Sequence, residues 1–334
     1  MFDIITFGSA TRDILVRPKN LTILKYGQSS GSGADVCLPL GSKIDVDSIE
    51  FHTGGGGTNT AATFALQGFK TAFCGMVDGD TSARELLNEL KKLKVNTSLV
   101  QKTNKKPTNH SIIIFSENQD RTILAYRGAS ELLEKKDIPF EKLKTKWMYL
   151  APLSGLLLSP AEALAKEGAT LFEYIVDFAV KNNIKIALNP GIAQLSLVNF
   201  TEISKKIDVL ILNQEEASFL TKTPFGDEKE IFKKISEICK SIIVMTRGGE
   251  GVMVSDGKNL YSAKPYIERK IVDTTGAGDA FGSGFVSEFI RSQDIEKAIQ
   301  LGMANSAGAL SEVGAKSGLL KKNQEFYKVE VERE

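Results

Sequence analysis

The stretch "DTTGAGDAFGSGF", residues 273–285, sets a glycine-rich turn directly before one carboxylate and an apolar, helix-compatible run. The first turn of a helix leaves backbone N–H groups unpaired and carries partial positive charge. The small residues Gly276, Ala277 and Gly278 would let an anion approach those groups closely. Asp279 would lie in the same turn, where an acid is also a good helix residue in its own right. The stretch therefore predicts a helix start that binds an anionic ligand, with one carboxylate facing it.

Apolar strands alternate with amphipathic helices along most of the 334 residues. Residues 3–8, "DIITFG", predict a buried strand, and residues 82–93, "SARELLNELKKL", predict an amphipathic helix. The alternation predicts an α/β fold, a three-layer, Rossmann-like, mostly parallel sheet with helices on both faces. Residues 14–51 and 110–126 instead show short alternating runs, the second reading as two strands joined by a polar turn. We interpret them as a small β-sheet lid, with long surface loops as the alternative.

The composition is that of a globular protein and excludes several classes of partner. Hydrophobic residues make up 42%, charged residues 25%, and the net charge is +1, which gives no pull toward nucleic acid or anionic membrane. No apolar run approaches the roughly 20 residues that cross a bilayer. Three widely spaced cysteines suggest neither a disulfide framework nor a zinc site and suit a reducing cytoplasm. We expect a single cytoplasmic domain over residues 1–334.

Phosphoryl transfer is a reaction that the helix start at residues 276–279 would serve. Transfer to a hydroxyl needs donors for the moving phosphoryl charge and a group that accepts the hydroxyl proton. The bare turn would supply the donors, and Asp279 would accept the proton. The plain alternative, an ordinary acidic residue in a first helical turn, does not explain why the turn lacks side chains.

A second glycine run, Gly54 to Gly57 in "HTGGGGTNTAATFALQGF", precedes a helix that we predict to open at Thr58 or Asn59. Such a run is either a flexible hinge before a good N-cap residue or a place where backbone approaches a ligand. In the second case the Asn59 amide would supply a donor and an acceptor for hydroxyl groups. The run alone favours neither interpretation.

Polar residues also follow two predicted strands, in "LILNQEE" and in "IIVMTRGGEG". Ligands bind at the carboxyl ends of parallel strands, so recurrence at successive strand ends favours a shared site. The chain has no G-x-x-x-x-G-K-[ST] phosphate loop, and its glycines near residue 276 do not follow G-x-G-x-x-G. A Walker-type nucleotide site is therefore excluded, and a dinucleotide-binding dehydrogenase is disfavoured.

Taken together, these motifs resemble those of the PfkB family of carbohydrate kinases, which has the ribokinase-like fold. The likeness covers nearly the whole chain, from "GSATRD" to "MANSAGAL". "DTTGAGDAFGSGF" is similar to the family's C-terminal signature and "GGGGTNTA" to its N-terminal one. "NQEE" resembles the N-x-x-E motif, and "TRGGEG" resembles the T-x-G-x-x-G nucleotide turn. The resemblance implies an enzyme that uses ATP and Mg²⁺ to phosphorylate a hydroxyl.

The resemblance also implies roles for individual residues. Asp279 would be the catalytic base, and the residues at 276–278 would form the anion hole for the phosphoryl group. The acceptor would be bound by Asp13, Gly55, Gly56, Asn59 and Arg127. The nucleotide side would comprise Asn213, Glu216, Thr246, Gly248, Gly251 and Asn305, with Glu216 holding Mg²⁺ through water. Asp273 and the carbonyl of Thr275 would form half of a K⁺ site, whose other half, "SEVGAKSG", is shorter than in ribokinases.

The identity of the acceptor is the part that the residues leave open. "DRTILAYRGAS" is similar to fructokinases and ketodeoxygluconate kinases, while "GGGG" also occurs in phosphofructokinase members. We favour an unphosphorylated sugar or sugar acid of the ribose, fructose or ketodeoxygluconate class. A nucleoside and a sugar phosphate are the alternatives, and a sensor without catalysis is a different class. In this family the lid often forms a dimer contact, so we expect a homodimer through it.

Overall fold

The computed structural model describes residues 1–25, 34–115, 121–153, 170–266 and 271–334. Within these ranges the strands are β1 (Phe2–Phe7), β2 (Thr11–Pro18), β3 (Thr22–Lys25), β4 (Ala34–Cys37), β5 (Val46–Gly54), β6 (Thr71–Cys74), β7 (Met76–Asp78), β8 (Gln101–Thr103), β9 (Asn109–Phe115), β10 (Arg121–Tyr126), β11 (Thr145–Leu150), β12 (Lys185–Leu188), β13 (Val209–Asn213), β14 (Ile242–Thr246), β15 (Val252–Ser255), β16 (Leu260–Ala263) and β17 (Val331–Arg333). The α-helices are α1 (Gly56–Leu66), α2 (Thr81–Lys92), α3 (Leu171–Lys181), α4 (Ile192–Leu195), α5 (Phe200–Ser204), α6 (Gln214–Thr221), α7 (Glu228–Ile238), α8 (Ala277–Ser292) and α9 (Ile295–Leu310).

The main sheet has the strand order β17-β16-β15-β14-β13-β12-β11-β1-β6. The run from β14 to β6 is parallel throughout, whereas β15, β16 and β17 continue the sheet antiparallel. This confirms the predicted mostly parallel sheet. It also puts the carboxyl ends of the parallel strands on one edge, where ligand sites form in such sheets. Strand β17 shows that the charged C-terminal segment contributes an edge element.

Helices cover both faces of this sheet because neighbouring strand residues point to opposite sides. Ile4 and Tyr149 pack in a buried cluster with side chains of α1, α8 and α9. Ile5 and Met148, the alternating neighbours, pack in a second cluster with α3 and α7. Each fully buried side chain of this size stabilises the fold by ~1.5–3 kcal/mol. The three predicted layers are confirmed. In the described ranges no helix is long and apolar enough to span a membrane.

A second, four-stranded sheet has the order β10-β9-β2-β5, and β3 and β4 form a separate hairpin. This confirms the predicted small β-sheet, although its strands run slightly beyond residues 14–51 and 110–126. The extra length comes from pairing that continues to Gly54 on β5 and to Asn109 on β9. The polar turn predicted between β9 and β10 lies outside the described residues. One face of the sheet packs on the body through a cluster of Leu15, Ile113 and Phe115 with Val313.

Candidate active site

The start of α8 is built around one glycine that no other residue can replace without strain. Gly276 is the N-cap, and its φ of 76° lies in the left-handed region. A Cβ atom on Gly276 would lie 2.5 Å from the Cβ atom of Ala315. The helix begins at Ala277, within the predicted start at residues 276–279, and Asp279 lies in its first turn. Around Gly278 a Cβ atom would meet nothing within 4 Å, so the space before the helix is open.

The four-glycine run lies against two carboxylates and makes room for the first of them, Asp13. A Cβ atom on Gly54 would lie 1.9 Å from Oδ2 of Asp13, and one on Gly56 would lie 3.5 Å from Oδ1 of Asp279. The helix α1 begins at Gly56 with Gly55 as N-cap, so the prediction of a start at Thr58 or Asn59 was wrong. The reason is that the glycines themselves take helical geometry.

Asp279 and Asn59 come together from helices 220 residues apart in sequence. Nδ2 of Asn59 donates a 2.8 Å hydrogen bond to Oδ2 of Asp279. Burial raises the pKa of Asp279, and this is opposed by that hydrogen bond and by the charge of Lys316. Oδ1 of Asn59 is buried and has no hydrogen-bond partner among the described residues. A buried polar atom of this kind calls for a partner, and a hydroxyl of a bound molecule would be one.

Asp13 enters the same site from the lid. It lies on β2, beside His52 of β5 and Ser111 of β9, and is 5% exposed. Burial raises the pKa of Asp13 to about 6, while Lys316, a hydrogen bond from Ser111 and the charge of His52 act in the opposite direction. The site thus contains two carboxylates, one on the lid and one at the helix start, on either side of the glycine run.

The residues predicted for the nucleotide side lie at neighbouring strand ends. Asn213 ends β13 and pairs in register with Thr246 at the end of β14. Asn213 caps α6, since its Oδ1 accepts from the N–H of Glu216 at 2.7 Å and its own N–H donates to Glu216 Oε2 at 2.8 Å. Burial raises the pKa of Glu216 to about 7, with a smaller contribution from Asp279. The two carboxylates are therefore close enough to interact.

The turn after β14 is fixed by its glycines and by an ion pair. Gly248 and Gly251 have φ angles of 54° and 94°, which favour glycine. A Cβ atom on Gly251 would lie 2.0 Å from the carbonyl oxygen of Ala263, so backbone passes directly over it. Arg247 binds both carboxylate oxygens of Glu228 at 2.7 and 2.9 Å. The glycines and the ion pair together define the shape of this turn beside the end of β14.

Asp273 fixes the segment that leads into α8 by accepting two backbone hydrogen bonds. Its Oδ1 accepts from the N–H of Thr275 at 2.8 Å, and its Oδ2 accepts from the N–H of Gly314 at 3.0 Å. The carboxylate therefore joins the glycine-rich turn to the predicted second half of the cation site. The hydroxyls of Thr274 and Thr275 are buried without a hydrogen-bond partner in the described ranges.

Asn305 and Arg127 are the remaining predicted site residues. Asn305, assigned to the nucleotide base, is fully buried. Its amide nitrogen donates to Ala280 O and Thr63 Oγ1, and its oxygen accepts from Leu320 N. The amide thus links α1, α8 and the C-terminal segment, and its contact with the nucleotide base stays a prediction. Arg127 is exposed just after β10.

Sequence reasoning missed a buried lysine at the site. Nζ of Lys316 donates to both the carbonyl and the hydroxyl oxygen of Thr53, each at 2.6 Å, and lies 3.5 Å from Oε2 of Glu89. The hydroxyl of Thr53 also donates to Glu89. The sequence "SEVGAKSG" carried no signal of this burial, because a lysine among small loop residues is usually solvated.

Comparisons with known proteins agree with this geometry. The family model described as pfkB family carbohydrate kinase matches residues 31–322. A ribokinase of Haemophilus influenzae is 26% identical, over 84% of this chain and 88% of its own length. A cytidine kinase of Thermococcus kodakarensis is 24% identical, over 94% of this chain and 98% of its own. The structure of Arabidopsis thaliana ribokinase complexed with ribose and ATP has a TM-score of 0.75 at 20% identity, covering 96% of both chains. With that match over most of its length, and with the signature residues gathered at one edge of the sheet, the chain belongs to the PfkB family of carbohydrate kinases.

Proposed function

We propose that the protein transfers the γ-phosphoryl group of ATP to a hydroxyl of a small sugar or sugar acid, of the ribose, fructose or ketodeoxygluconate class. The observation that carries this proposal is the pairing of Asp279 with Asn59 beside the open first turn of α8. A base next to the N–H groups at a helix N-terminus is what phosphoryl transfer to an alcohol requires.

The residues divide the chemistry between them. Asp13 and the free Oδ1 of Asn59 bind and orient acceptor hydroxyls. Asp279 accepts the proton of the attacking hydroxyl, and the first turn of α8 at Gly276, Ala277 and Gly278 stabilises the charge on the moving phosphoryl group. The bare backbone of Gly55 and Gly56 lets the acceptor approach Asp279 without a side chain in between.

The nucleotide lies, in this proposal, across the ends of β13 and β14, on Asn213, Thr246, Gly248 and Gly251. Mg²⁺ neutralises phosphate charge when bound. The described residues contain no group of three or more His, Cys, Asp or Glu side chains suited to a metal. A single carboxylate fits Mg²⁺, which keeps several waters and is bound largely through substrate phosphates. We therefore assign Glu216 to Mg²⁺ through water.

A monovalent cation such as K⁺ is a further part of the proposal. The carbonyl of Thr275, the carboxylate of Asp273 and the unpartnered hydroxyls nearby offer the hard oxygen atoms that such ions prefer. Activity in K⁺ compared with Na⁺ at equal ionic strength tests this assignment, since a site of this kind should discriminate between the two ions.

The charge of the pocket favours an unphosphorylated acceptor. A substrate phosphate is usually held by several cationic contacts. Asp13 would repel it, Lys316 is already bonded to Thr53 and Glu89, and the side chain of Arg127 is exposed. We expect kcat/KM for fructose to exceed that for fructose 6-phosphate by at least about tenfold, or ~1.4 kcal/mol. Faster turnover of the phosphate ester would contradict this, and Arg127→Ala should then abolish the preference.

ADP formation with ATP and Mg²⁺ tests the reaction itself. The acceptors are ribose, fructose, ketodeoxygluconate, fructose 6-phosphate, adenosine and cytidine, each compared with no acceptor. We expect acceptor-dependent ADP formation with one of the unphosphorylated sugars or the sugar acid. A nucleoside kinase is the second candidate, favoured by the cytidine kinase that matches over nearly its full length. No acceptor dependence with any compound would contradict both and would favour a sensor.

We also propose that the protein is a homodimer through the outer face of the lid. Phe51, Ile14, Ile112 and Leu124 are register partners across the four strands and so share one face. Phe51, Ile112 and Leu124 are 54%, 40% and 52% exposed. A contiguous apolar sheet face of this kind is typical of an interaction surface, and a second copy of the same face would cover it.

A further inference from the structure

Two exposed tyrosine rings stack on each other beside the main sheet. Tyr266 follows β16, and Tyr327 precedes β17. The ring centroids are 5.0 Å apart, and the ring planes are inclined by only 5°. The two residues are 37% and 65% exposed, so the stack leaves much of the second ring in contact with solvent. The pair therefore presents a flat aromatic surface to the outside.

The strand register places this pair at the edge of the sheet that carries the proposed nucleotide residues. One row of register partners crosses five strands, and its members are Asn213, Thr246, Val252, Ala263 and Val331. Strand β16 ends at Ala263 and β17 begins at Val331, so both tyrosines lie just beyond this row. Neighbouring strands are about 4.8 Å apart, which places Ala263 ~10 Å from Thr246 and Val331 ~14 Å from it.

The backbone on either side of the pair is anchored to the body of the protein. A Cβ atom on Gly251 would lie 3.0 Å from Cα of Lys264, so the segment that leads to the first tyrosine passes directly over the proposed nucleotide turn. Behind the second tyrosine, Nε2 of Gln300 donates to the carbonyl oxygen of Val329 at 2.7 Å, and the N–H of Val329 donates to Oε1 of Gln300 at 2.9 Å. The fold therefore fixes the pair beside that turn.

We propose that Tyr266 and Tyr327 form the surface on which the purine base of the nucleotide stacks, while its phosphates extend along the strand ends toward the start of α8. The inference rests on the proposed function and deepens it, because it names the residues that hold the base. The separation of ~10 Å between Ala263 and Thr246 suits a nucleotide that lies lengthwise across the strand ends.

Stacking makes definite demands on the ligand and on the side chain. Every nucleobase has a π face, so a base that stacks on an aromatic ring is bound without hydrogen bonds to its edge. Such a surface distinguishes bases by the area of the ring system, so purines should bind better than pyrimidines, and ATP and GTP should bind alike. The phenolic hydroxyl is not needed, so phenylalanine should replace tyrosine. If the pair only fastened the C-terminal segment, its loss would lower stability and leave nucleotide affinity unchanged.

Calorimetric titration with ADP and Mg²⁺ tests the proposal without an acceptor. We expect Tyr327→Leu to weaken ADP binding at least about tenfold, because leucine keeps an apolar contact but has no π face, and Tyr327→Phe to stay within about twofold of the wild type. The loss should be smaller for CDP, whose base is a single ring, and absent for tripolyphosphate, which has no base. Tyr174→Leu on α3, where the ring contacts Lys135, is the control and should bind ADP as the wild type does.

The adenine protons report stacking directly. The H2 and H8 signals of ADP should move upfield on binding to the wild type and to Tyr327→Phe, because the ring current of an aromatic neighbour shields them, and this shift should be reduced in Tyr327→Leu. Unchanged affinity and an unchanged shift in a folded Tyr327→Leu protein would overturn the proposal. Equal weakening of ADP and tripolyphosphate would overturn it as well, since it would reveal a general disturbance of the site.

These binding measurements separate the stacking surface from the reaction. If the wild type binds ADP with the upfield shifts but phosphorylates no acceptor, the proposed function fails and the stacking surface stands. If ADP formation depends on an acceptor and Tyr327→Leu keeps the wild-type KM for ATP, the stacking surface fails and the proposed function stands. If Tyr327→Leu does not fold, Tyr266→Leu is titrated in its place. Equal affinity of the wild type for ADP, CDP and tripolyphosphate would then overturn the proposal.

Discussion

At the scale of single residues, the two acids of the pocket are held by different partners. Asp279 accepts a hydrogen bond from Asn59 within the body of the protein, whereas Asp13 is bonded to Ser111 of the lid. The first acid is therefore fixed whether or not the lid moves, and the second moves with the lid. This division suits a base that must stay in line with the phosphoryl group and a carboxylate that follows the acceptor.

Replacement of the base separates catalysis from binding. We expect Asp279→Asn to lower kcat by roughly 10²–10⁴ with nearly unchanged ATP affinity, because the amide keeps the shape of the site but cannot accept the proton. Steady-state kinetics and calorimetric titration of an ATP analogue measure the two effects. Asp177→Asn on the exposed face of α3 is the control. Near wild-type turnover in Asp279→Asn would mean that another group is the base.

Replacement of Asp13 should weaken acceptor binding and raise the free energy of unfolding. Its pKa in the folded protein is about 6, against an ordinary 3.8, so the folded state binds the proton more tightly than the unfolded chain. The contribution to the free energy of unfolding therefore falls as pH rises from about 4 to 6 and stays lost above that range. We expect Asp13→Asn to raise that free energy at neutral pH by an amount of order 1–3 kcal/mol.

The same Asp13→Asn variant should raise the acceptor KM strongly with little change in ATP affinity, since charge-assisted hydrogen bonds to hydroxyls are lost. Thermal unfolding across the acidic pH range and kinetics at neutral pH measure the two effects. Destabilisation at neutral pH together with equal weakening of both substrates would instead make Asp13 a structural residue.

At the scale of elements, the start of α8 combines two glycines with different duties. Gly276 is needed for the fold for two reasons. Its backbone is left-handed, and the Ala315 side chain occupies the space that a Cβ atom would need. Gly278 faces open space at the same helix end. Only the first of the two is explained by packing, so the second is a candidate for close approach of a ligand.

A pair of alanine substitutions distinguishes the role of Gly276 in packing from the role of Gly278 in ligand approach. Gly276→Ala should lower the free energy of unfolding by about 1–3 kcal/mol, because it combines backbone strain with a steric clash. Gly278→Ala should leave thermal stability unchanged but lower kcat by roughly 10–10², because a methyl group displaces the phosphoryl group by about 1 Å. Full activity in a stable Gly278→Ala protein would place the phosphoryl group elsewhere.

Helix α9 contributes to the site through Asn305, which links two other helices. Its amide binds Ala280 of α8 and Thr63 of α1, the two helices whose N-termini carry Asp279 and Asn59. The side chain of Asn305 is fully buried between these helices. A hydrogen bond between helix interiors fixes how the two helix starts meet, which is why the residue still matters for the site.

At the scale of the whole molecule, the lid has one face for the body and one for a partner. Leu15, Ile113 and Phe115 pack inward on Val313, while the row of Phe51, Ile14, Ile112 and Leu124 faces outward. In a strand, alternate residues point to opposite faces, so β2 and β9 contribute to both sets, whereas β5 and β10 add Phe51 and Leu124 to the outward row. In a monomer, this outward row of apolar side chains would be exposed to solvent.

A charge on that outward row should break the proposed dimer. We expect the wild type to scatter light as a dimer at micromolar concentration and Leu124→Glu to scatter as a monomer, since a carboxylate would be buried without a partner. Val180→Glu, at a residue of α3 that is 46% exposed, should remain dimeric. A monomeric wild type, or a dimeric Leu124→Glu protein, would remove the lid face from consideration.

Local patterns were enough to predict the sheet, its helices, the second β layer and the start of α8, because periodicity, glycine runs and helix termini act over a few residues. They also identified the family. Sequence patterns could not predict where α1 begins, that Asn305 points inward or that Lys316 is buried among three acids. Those features depend on contacts between distant segments, such as the 263 residues that separate Thr53 from Lys316. Burial and electrostatics at such contacts are set only when the whole chain has folded, so the tertiary structure alone decided them.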